Sequence, residues 1–297
     1  MYFSMNIKIN IYYSDNGVGI VSDNILLKFL LKDYDTSSYV RNKTNEYRNA
    51  DVGFHIQDFD FNLIHKNKIN ILIINEEWFP TTELNNLKYL DYIFVKSSYA
   101  KTILDVYHKN VINTGFFSLD RCFFPKHTKQ ILHFKGKSIQ KNTEIIKSNK
   151  TVKIIDSNID YLSENELVYQ LNNHDIHICC SLYEAWGHYL WEAMSCGKLV
   201  ICSEIPVFKE YLDPNLVKFI SINNKINYNS EYEFLNTKQF KFRTGYFIDE
   251  QKLEELLNNK EQLFEFQKTN CSQIRHHFIE VNNKNKQKFL NIIKSIL

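Results

Sequence analysis

The sequence predicts an α/β protein built from two Rossmann-like, doubly wound domains that face each other across a cleft, with helices at the C-terminus. Three observations carry this. From Ile131 onward, short apolar runs alternate with helical patterns, the signature of a parallel sheet wound with helices. The part before it shows the same alternation less cleanly. The chain, at 297 residues, is long for one core and suits two domains of ordinary size.

Ile7, Ile9 and Ile11 alternate with Lys8 and Asn10, a half-buried strand. A loop, Asp15 to Gly19, then leads into a helix rich in Leu and Ile that runs to Leu31. Ile69–Ile74 is a continuous apolar run and the best central strand of this half. Tyr92–Val95 follows, and Ser97-Ser98 caps a helix over Tyr99–Tyr107. Turn chemistry and charge replace periodicity near Pro125–Gln130, which places the domain boundary between 1–125 and 126–297. Beyond it, strands are expected at Ile131–Phe134, Val152–Ile155, Ile176–Cys180, Leu199–Cys202 and Val217–Ile220. Helices are expected at Gln140–Ser148, Glu164–Asn172, Tyr189–Ser195 and Val207–Tyr211. Ser163 and Glu166 form a capping box for the second of these. Gln251–Leu257 and Ser272–Leu297 are helical. Such domains bind ligands outside the carboxyl ends of their strands.

Hydrophobic residues make up 44% and charged residues 24% of the chain, a soluble globular composition. Residues 1–125 carry 13 Lys and Arg against 14 Asp and Glu, and the rest carry 23 against 20. With a net charge of +2, no nucleic-acid partner is expected. The six cysteines show neither a CxxC pair nor zinc-ligand spacing, which points to a reducing interior. The first ten residues lack the core of a signal peptide, and no run approaches the roughly 18 apolar residues of a membrane span. The expected location is cytoplasmic. Peripheral membrane contact stays open, since a lipid-borne acceptor requires no spanning helix.

The stretch from Ser181 to Gly197 carries the most chemistry. It follows the apolar run Ile176–Cys180 and holds two acids, Glu184 and Glu192, with seven residues between them and the turn residue Gly187 inside. A strand that restarts as a helix leaves unpaired N–H groups at the helix start, which favour an anion and phosphate above all. Two glutamates at this spacing also arise by chance, and lysines near them can be plain solvated side chains. Gly17-Val18-Gly19 lies after the first strand, but with Ser at position 22 it lacks the last glycine of a dinucleotide fingerprint, and a plain turn serves as well. Asp58-Phe59-Asp60 mimics a metal-binding DxD and reads better as an exposed turn. Asn75-Glu76-Glu77-Trp78 suits a sugar hydroxyl and ring face, against the default of a capping loop with a packed Trp. No metal site and no cofactor are expected.

The Glu184-x7-Glu192 segment, with its Trp-Gly and Ala-Met-Ser-Cys-Gly context, resembles the signature of retaining glycosyltransferases of the GT-B fold, family 4 in particular. Asp91–Ser98 is similar to a strand-and-Ser segment late in that family's first domain, and Val111–Arg121 to its inter-domain approach. Ile131–Lys137 followed by Lys141 resembles the strand-Gly-basic-x-Lys opening of its donor domain. The resemblance runs from about Asp91 to the end. It implies that Glu184 lies near the transferred sugar and Glu192 on the ribose hydroxyls. Gly187, His188 and Tyr189 would offer backbone N–H groups to the diphosphate, which Lys137 and Lys141 would neutralise. Gly17 and Gly19 would approach acceptor or phosphate. Two departures stand out: Ala185 follows the first acid where the family commonly has Gly, and Ser203–Glu210 lacks the family's glycines.

The implied function is a metal-independent, retaining transfer of a sugar from a nucleotide-diphosphate sugar to a glycan, lipid-linked or protein-glycan acceptor, as in polysaccharide biosynthesis. Alternatives are an epimerase or phosphorylase on the same scaffold, or a non-catalytic sugar-nucleotide-binding subunit. Nothing in the sequence sets the oligomeric state, the donor base or the sugar.

Overall fold

The computed structural model describes residues 7–15, 18–41, 43, 46–123, 126–136, 139–157, 159–160, 162–230 and 239–297. The chain forms two compact units. The first comprises Met1–Phe116, Tyr228–Arg243 and Asn285–Leu297, and the second Phe117–Asn227 and Thr244–Lys284. The crossing at 116/117 precedes the boundary expected at 125/126, and two C-terminal segments return to the first unit.

In the first unit the elements run β1 (Lys8–Tyr13), α1 (Val18–Leu30), β2 (Asp35–Val40), β3 (Ala50–Ile56), α2 (Phe61–Ile64), β4 (Asn67–Ile73), β5 (Tyr92–Val95), α3 (Ser98–Leu104) and β6 (Val111–Asn113). The sheet is parallel, in the order β2-β1-β3-β4-β5-β6. The run Ile69–Ile74 is central as expected, and the Ser97 hydroxyl caps α3 by accepting from the Ala100 N–H. β1 departs from the half-buried expectation. Lys8 is exposed, but Asn10 and Tyr12 are fully buried. They belong to a polar network in which the Asn10 amide donates to the Tyr12 hydroxyl (2.8 Å), the Arg48 carbonyl (2.8 Å) and Asn67 (3.2 Å). Satisfied in this way, a polar side chain tolerates burial. Phe54 and Phe94 pack instead against Phe289 near the C-terminus, with ring centroids 6.1 and 5.5 Å away.

The second unit contains β7 (Ile131–Lys135), β8 (Val152–Asp156), α4 (Glu164–Asn172), β9 (Ile176–Cys179), α5 (His188–Ser195), β10 (Leu199–Ser203), α6 (Pro206–Tyr211) and β11 (Lys218–Ile220). Its parallel sheet has the order β11-β10-β9-β7-β8. Both bonds of the Ser163–Glu166 capping box form. A single helix over Gln140–Ser148 does not. Asn142 adopts a left-handed conformation (φ 52°) and separates two short 3-10 turns, Ile139–Lys141 and Thr143–Ile146. Asn is among the few residues that visit this region readily, and one such residue interrupts the α-helical ladder.

A two-stranded ribbon, β12 (Ile222–Ser230) with β13 (Gln239–Ile248), follows β11 and is absent from the sequence expectation. Then come α7 (Glu250–Asn258) and α8 (Lys260–Ile296), one helix of 37 residues where only the part from Ser272 onward was expected.

Three buried histidines give the fold a pH signature. Burial holds His55 and His133 down to about 4 and His177 to about 3. These rings stay neutral in the folded chain, while the unfolded chain binds protons below about 6.5. Their stabilisation is therefore complete above pH 6.5 and is lost as pH falls toward the folded values. Burial raises the Glu76 and Glu192 carboxyls, which act in the opposite sense, so a difference between variants isolates one ring. Relative to the parent protein, His177→Gln should gain up to about 1.4 kcal/mol per pH unit on acidification from pH 6.5 to 4. Thermal unfolding across that range measures it, and parallel curves would refute the assignment.

Candidate active site

In the second sheet the chain passes from β7 to β8 on one side, and from β9 to β10 on the other, so the loops after β7 and β9 diverge at adjacent strands. This is the topological switch point, where open α/β sheets bind ligands. The loop after β7 brings Lys141 and the loop after β9 brings Glu184, and the two side chains form an ion pair. Ser181 donates its hydroxyl to the same carboxylate oxygen of Glu184 (2.9 Å). Gln140 ties the loops together: its side-chain amide donates to the Tyr183 carbonyl and its own carbonyl accepts the Leu182 N–H, both at 2.7 Å. Beneath them the buried His133 ring bonds the Ile178 carbonyl and the Thr143 hydroxyl, each at 2.9 Å.

Gly187 ends the loop after β9 in a left-handed conformation (φ 79°) and is the N-cap of α5. A Cβ there would lie 2.8 Å from the Phe208 ring, so both conformation and space demand glycine. No side-chain hydrogen bond caps α5, which leaves its first turn to backbone N–H groups. His188 is the first helical residue, and its Nδ1 lies 2.9 Å from the Ser118 hydroxyl. Tyr189 is held by its hydroxyl, 3.0 Å from His177 Nδ1 and 3.3 Å from the Leu132 carbonyl, and burial pushes its phenol well above the usual range.

Glu192, in the second turn of α5, is buried beside Arg121, whose Nε donates to it at 3.2 Å. Burial raises its carboxyl above the usual range, although Arg121 and His188 pull the other way. Arg121 also pairs with Glu164, and its backbone N–H donates to the Ser195 hydroxyl (2.9 Å).

The second unit thus holds Lys141, Glu184, Gly187, His188, Tyr189 and Glu192. Lys137 and Gly17 lie outside the described residues. Gly19 is in the first unit, in the first turn of α1, with open space where a side chain would stand. Sequence reasoning gave no role to Arg121, Ser118 or Ser181. Arg121 stands 71 positions from its partner Glu192, a separation that no local pattern reveals. Asp60 caps α2 by accepting the Asn62 N–H, and Asp58 pairs with Arg41. Glu76–Trp78 form a 3-10 turn, and the Arg243 guanidinium lies 4.0 Å from the centre of the Trp78 ring. Among the described residues no three His, Cys, Asp or Glu side chains group to hold a metal ion, and no helix is long and apolar enough to cross a membrane.

Residues 125–231, the segment carrying Lys141, Glu184 and Glu192, match the family model of the glycosyl transferases group 1. The chain as a whole has the GT-B fold. It is similar to a glycosyltransferase from Rickettsia africae ESF-5 (TM-score 0.64, 13% identity, 98% of each chain covered). It is also similar to sucrose-phosphate synthase from Thermosynechococcus elongatus (TM-score 0.63, 9% identity, covering 97% of this chain and 100% of that one). Anabaena Alr3699/HepE, solved in complex with UDP and glucose, gives a TM-score of 0.60 at 11% identity, with 97% of this chain and 100% of that one covered. No curated protein matches the sequence.

Gly187→Ala should destabilise the second unit by about 1–3 kcal/mol through its left-handed backbone, with a further contribution from the Phe208 ring. Adding Phe208→Leu should recover only the second part. A double-mutant cycle in denaturant checks this, and full additivity of the two changes would show that the ring does not crowd the glycine.

Proposed function

We propose that the chain is a retaining glycosyltransferase that moves a sugar from a nucleotide-diphosphate sugar to a glycan, lipid-linked or protein-glycan acceptor. One observation carries the reading: Glu184 and Glu192 flank the Gly187 turn at the switch point of the second sheet, with Lys141 on Glu184. That segment's match to the group 1 family model supports it.

Glu184 accepts hydroxyls of the transferred sugar, and Glu192 those of the ribose. In the free protein Lys141 rests on Glu184. A bound diphosphate competes for that lysine and releases the carboxylate to the sugar. As the anomeric carbon–phosphate bond breaks, negative charge grows on the departing phosphate. Lys141 and the N–H groups of Gly187, His188 and Tyr189 stabilise it, and Lys137 is assigned to the same charge from its sequence position alone. The acceptor oxygen bonds the anomeric carbon from the same face, and the phosphate takes the acceptor proton. The reaction then needs no protein base, no metal and no cofactor. A role in polysaccharide biosynthesis and a cytoplasmic location with peripheral membrane contact fit this chemistry. HepE structures hold UDP and UDP-glucose, which makes the uridine nucleotides the first donors to try.

Thermal shift against UDP-, GDP- and ADP-sugars should show stabilisation by one base. Glu192→Ala should lose roughly tenfold or more in nucleotide affinity, while Glu184→Ala should mainly lower turnover. Unchanged binding and turnover in both variants would remove these residues from the site.

A further inference from the structure

At the amino ends of β4, β5 and β6 the first unit holds a cavity of about 590 Å³, a size usual for small-molecule sites. Open α/β sheets bind their reacting ligands at the other, carboxyl ends of the strands. The cavity is therefore no part of the donor site in the second unit, and the proposed transfer makes no use of it. Its walls are tied in place. The Asp91 carboxylate accepts the Asn70 N–H (2.8 Å), and the Asn110 amide donates to the Asp91 carbonyl (2.9 Å). The Asn110 N–H donates to His108 Nδ1 (3.1 Å), so that ring carries its hydrogen on Nε2 and donates it to the Leu90 carbonyl at 3.0 Å. Both ring nitrogens are thereby used, and His108 serves as a strut. Lys241 of β13 donates to the Tyr107 hydroxyl (2.6 Å). Walls fixed in advance lower the ordering cost of binding.

The lysines of the cavity are not spent in this way. Lys88 and Lys109 line it and are exposed, and among the described residues neither pairs with a carboxylate. The lining thus sets two ammonium groups against the single carboxylate of Asp91. Beside it, at Tyr89, an aromatic surface continues outward. Tyr89 is 51% and Phe61 44% exposed, and their rings meet edge to face at 5.1 Å. The Lys88 ammonium lies 5.1 Å from the centre of the Tyr89 ring. Cations alone would suit any anion. Exposed rings next to them suit the C–H face of a sugar as well.

We propose that this cavity and the adjoining Tyr89–Phe61 surface bind an acidic saccharide chain, one that carries uronic acids. The Lys88 and Lys109 ammonium groups take its carboxylates, Asp91 and Asn110 its hydroxyls, and the rings its sugar faces. On the transfer reading above, such a site would tether a growing acidic glycan and raise the effective concentration of its end. The binding itself does not rest on that reading.

Titration of the full chain with oligogalacturonate, followed by amide NMR and calorimetry, tests the site. A cello-oligosaccharide of equal length is the neutral probe, and a short single-stranded DNA is the polyanion without acidic sugars. Oligogalacturonate should bind, shift the Asn110 and Tyr92 amides, and lose affinity as salt rises. The cello-oligosaccharide should bind roughly tenfold more weakly or worse. The double variant Lys88→Gln, Lys109→Gln should lose roughly tenfold in oligogalacturonate affinity, and Tyr89→Ala a few-fold. Melting temperatures should stay near the parent's, because all three side chains are exposed. No binding of oligogalacturonate, equal binding by the double variant, or tighter binding of the DNA overturns the inference. UDP binding without oligogalacturonate binding removes this site alone. Oligogalacturonate binding without binding of UDP, GDP or ADP keeps the site and removes the donor reading.

Discussion

Gly187 turns the chain through a left-handed conformation against the edge of the Phe208 ring, and the charged groups of the candidate site take their places from that turn. Before it, the loop after β9 holds Glu184 beside Lys141. After it, α5 begins without a side-chain cap and carries Glu192 in its second turn. A residue with a Cβ would have to leave the left-handed region or displace the ring. Either change would rotate α5 relative to the loop and separate the two acids. The turn also starts α5 without a side-chain cap, so one backbone conformation sets both an electropositive helix start and the carboxylates around it.

The two acids are about equally buried and are managed by different partners. Glu184 keeps partners at its edge, the Lys141 ammonium and the Ser181 hydroxyl, on loops that meet at the switch point. Glu192 has the Arg121 guanidinium instead, and desolvation raises its carboxyl even with Arg121 in contact. For Glu192, desolvation outweighs attraction, and an added hydroxyl donor would offset part of that penalty. Lys198 and Asp175 show the contrast. They are equally buried and paired at 3.1 Å, but the Lys198 ammonium also donates to the Lys126 carbonyl, and Asp175 accepts the N–H groups of Thr128 and Lys129. That pair staples a loop to the start of the second sheet and leaves little capacity for a ligand.

What the sequence made legible was whatever is local. The strands of the second sheet, the Ser163–Glu166 cap and the helix start at Gly187 follow from runs, caps and glycines within a few residues. Asn142 was missed because one left-handed residue breaks a helix without altering its apolar period. β1 was misjudged because Asn10 and Tyr12 read as solvent-facing until distant partners, Arg48 and Asn67, satisfy them. The ribbon β12–β13 hides in a polar stretch whose pairing is decided only when the strands meet. Arg121 and Ser118 were illegible for the same reason: their partners lie about seventy residues away.

Both sheets share one strand order, with the first strand between the second and the third, so each has a switch point of its own. In the first unit that place lies between β1 and β3, where Tyr12 stacks on His55 (5.0 Å) and on Tyr39 (5.8 Å). His55, fully buried and kept neutral by burial, faces Asn70 at 3.0 Å. Stacked rings and hydrogen-bonded amides fill this position with structure. In the second unit the corresponding loops carry a cation, two carboxylates and an uncapped helix start, with polar capacity that a ligand would complete. Equal topology therefore yields one polar core and one candidate site. The distinction lies in the residues that follow each strand, which is where an argument about function has to be made.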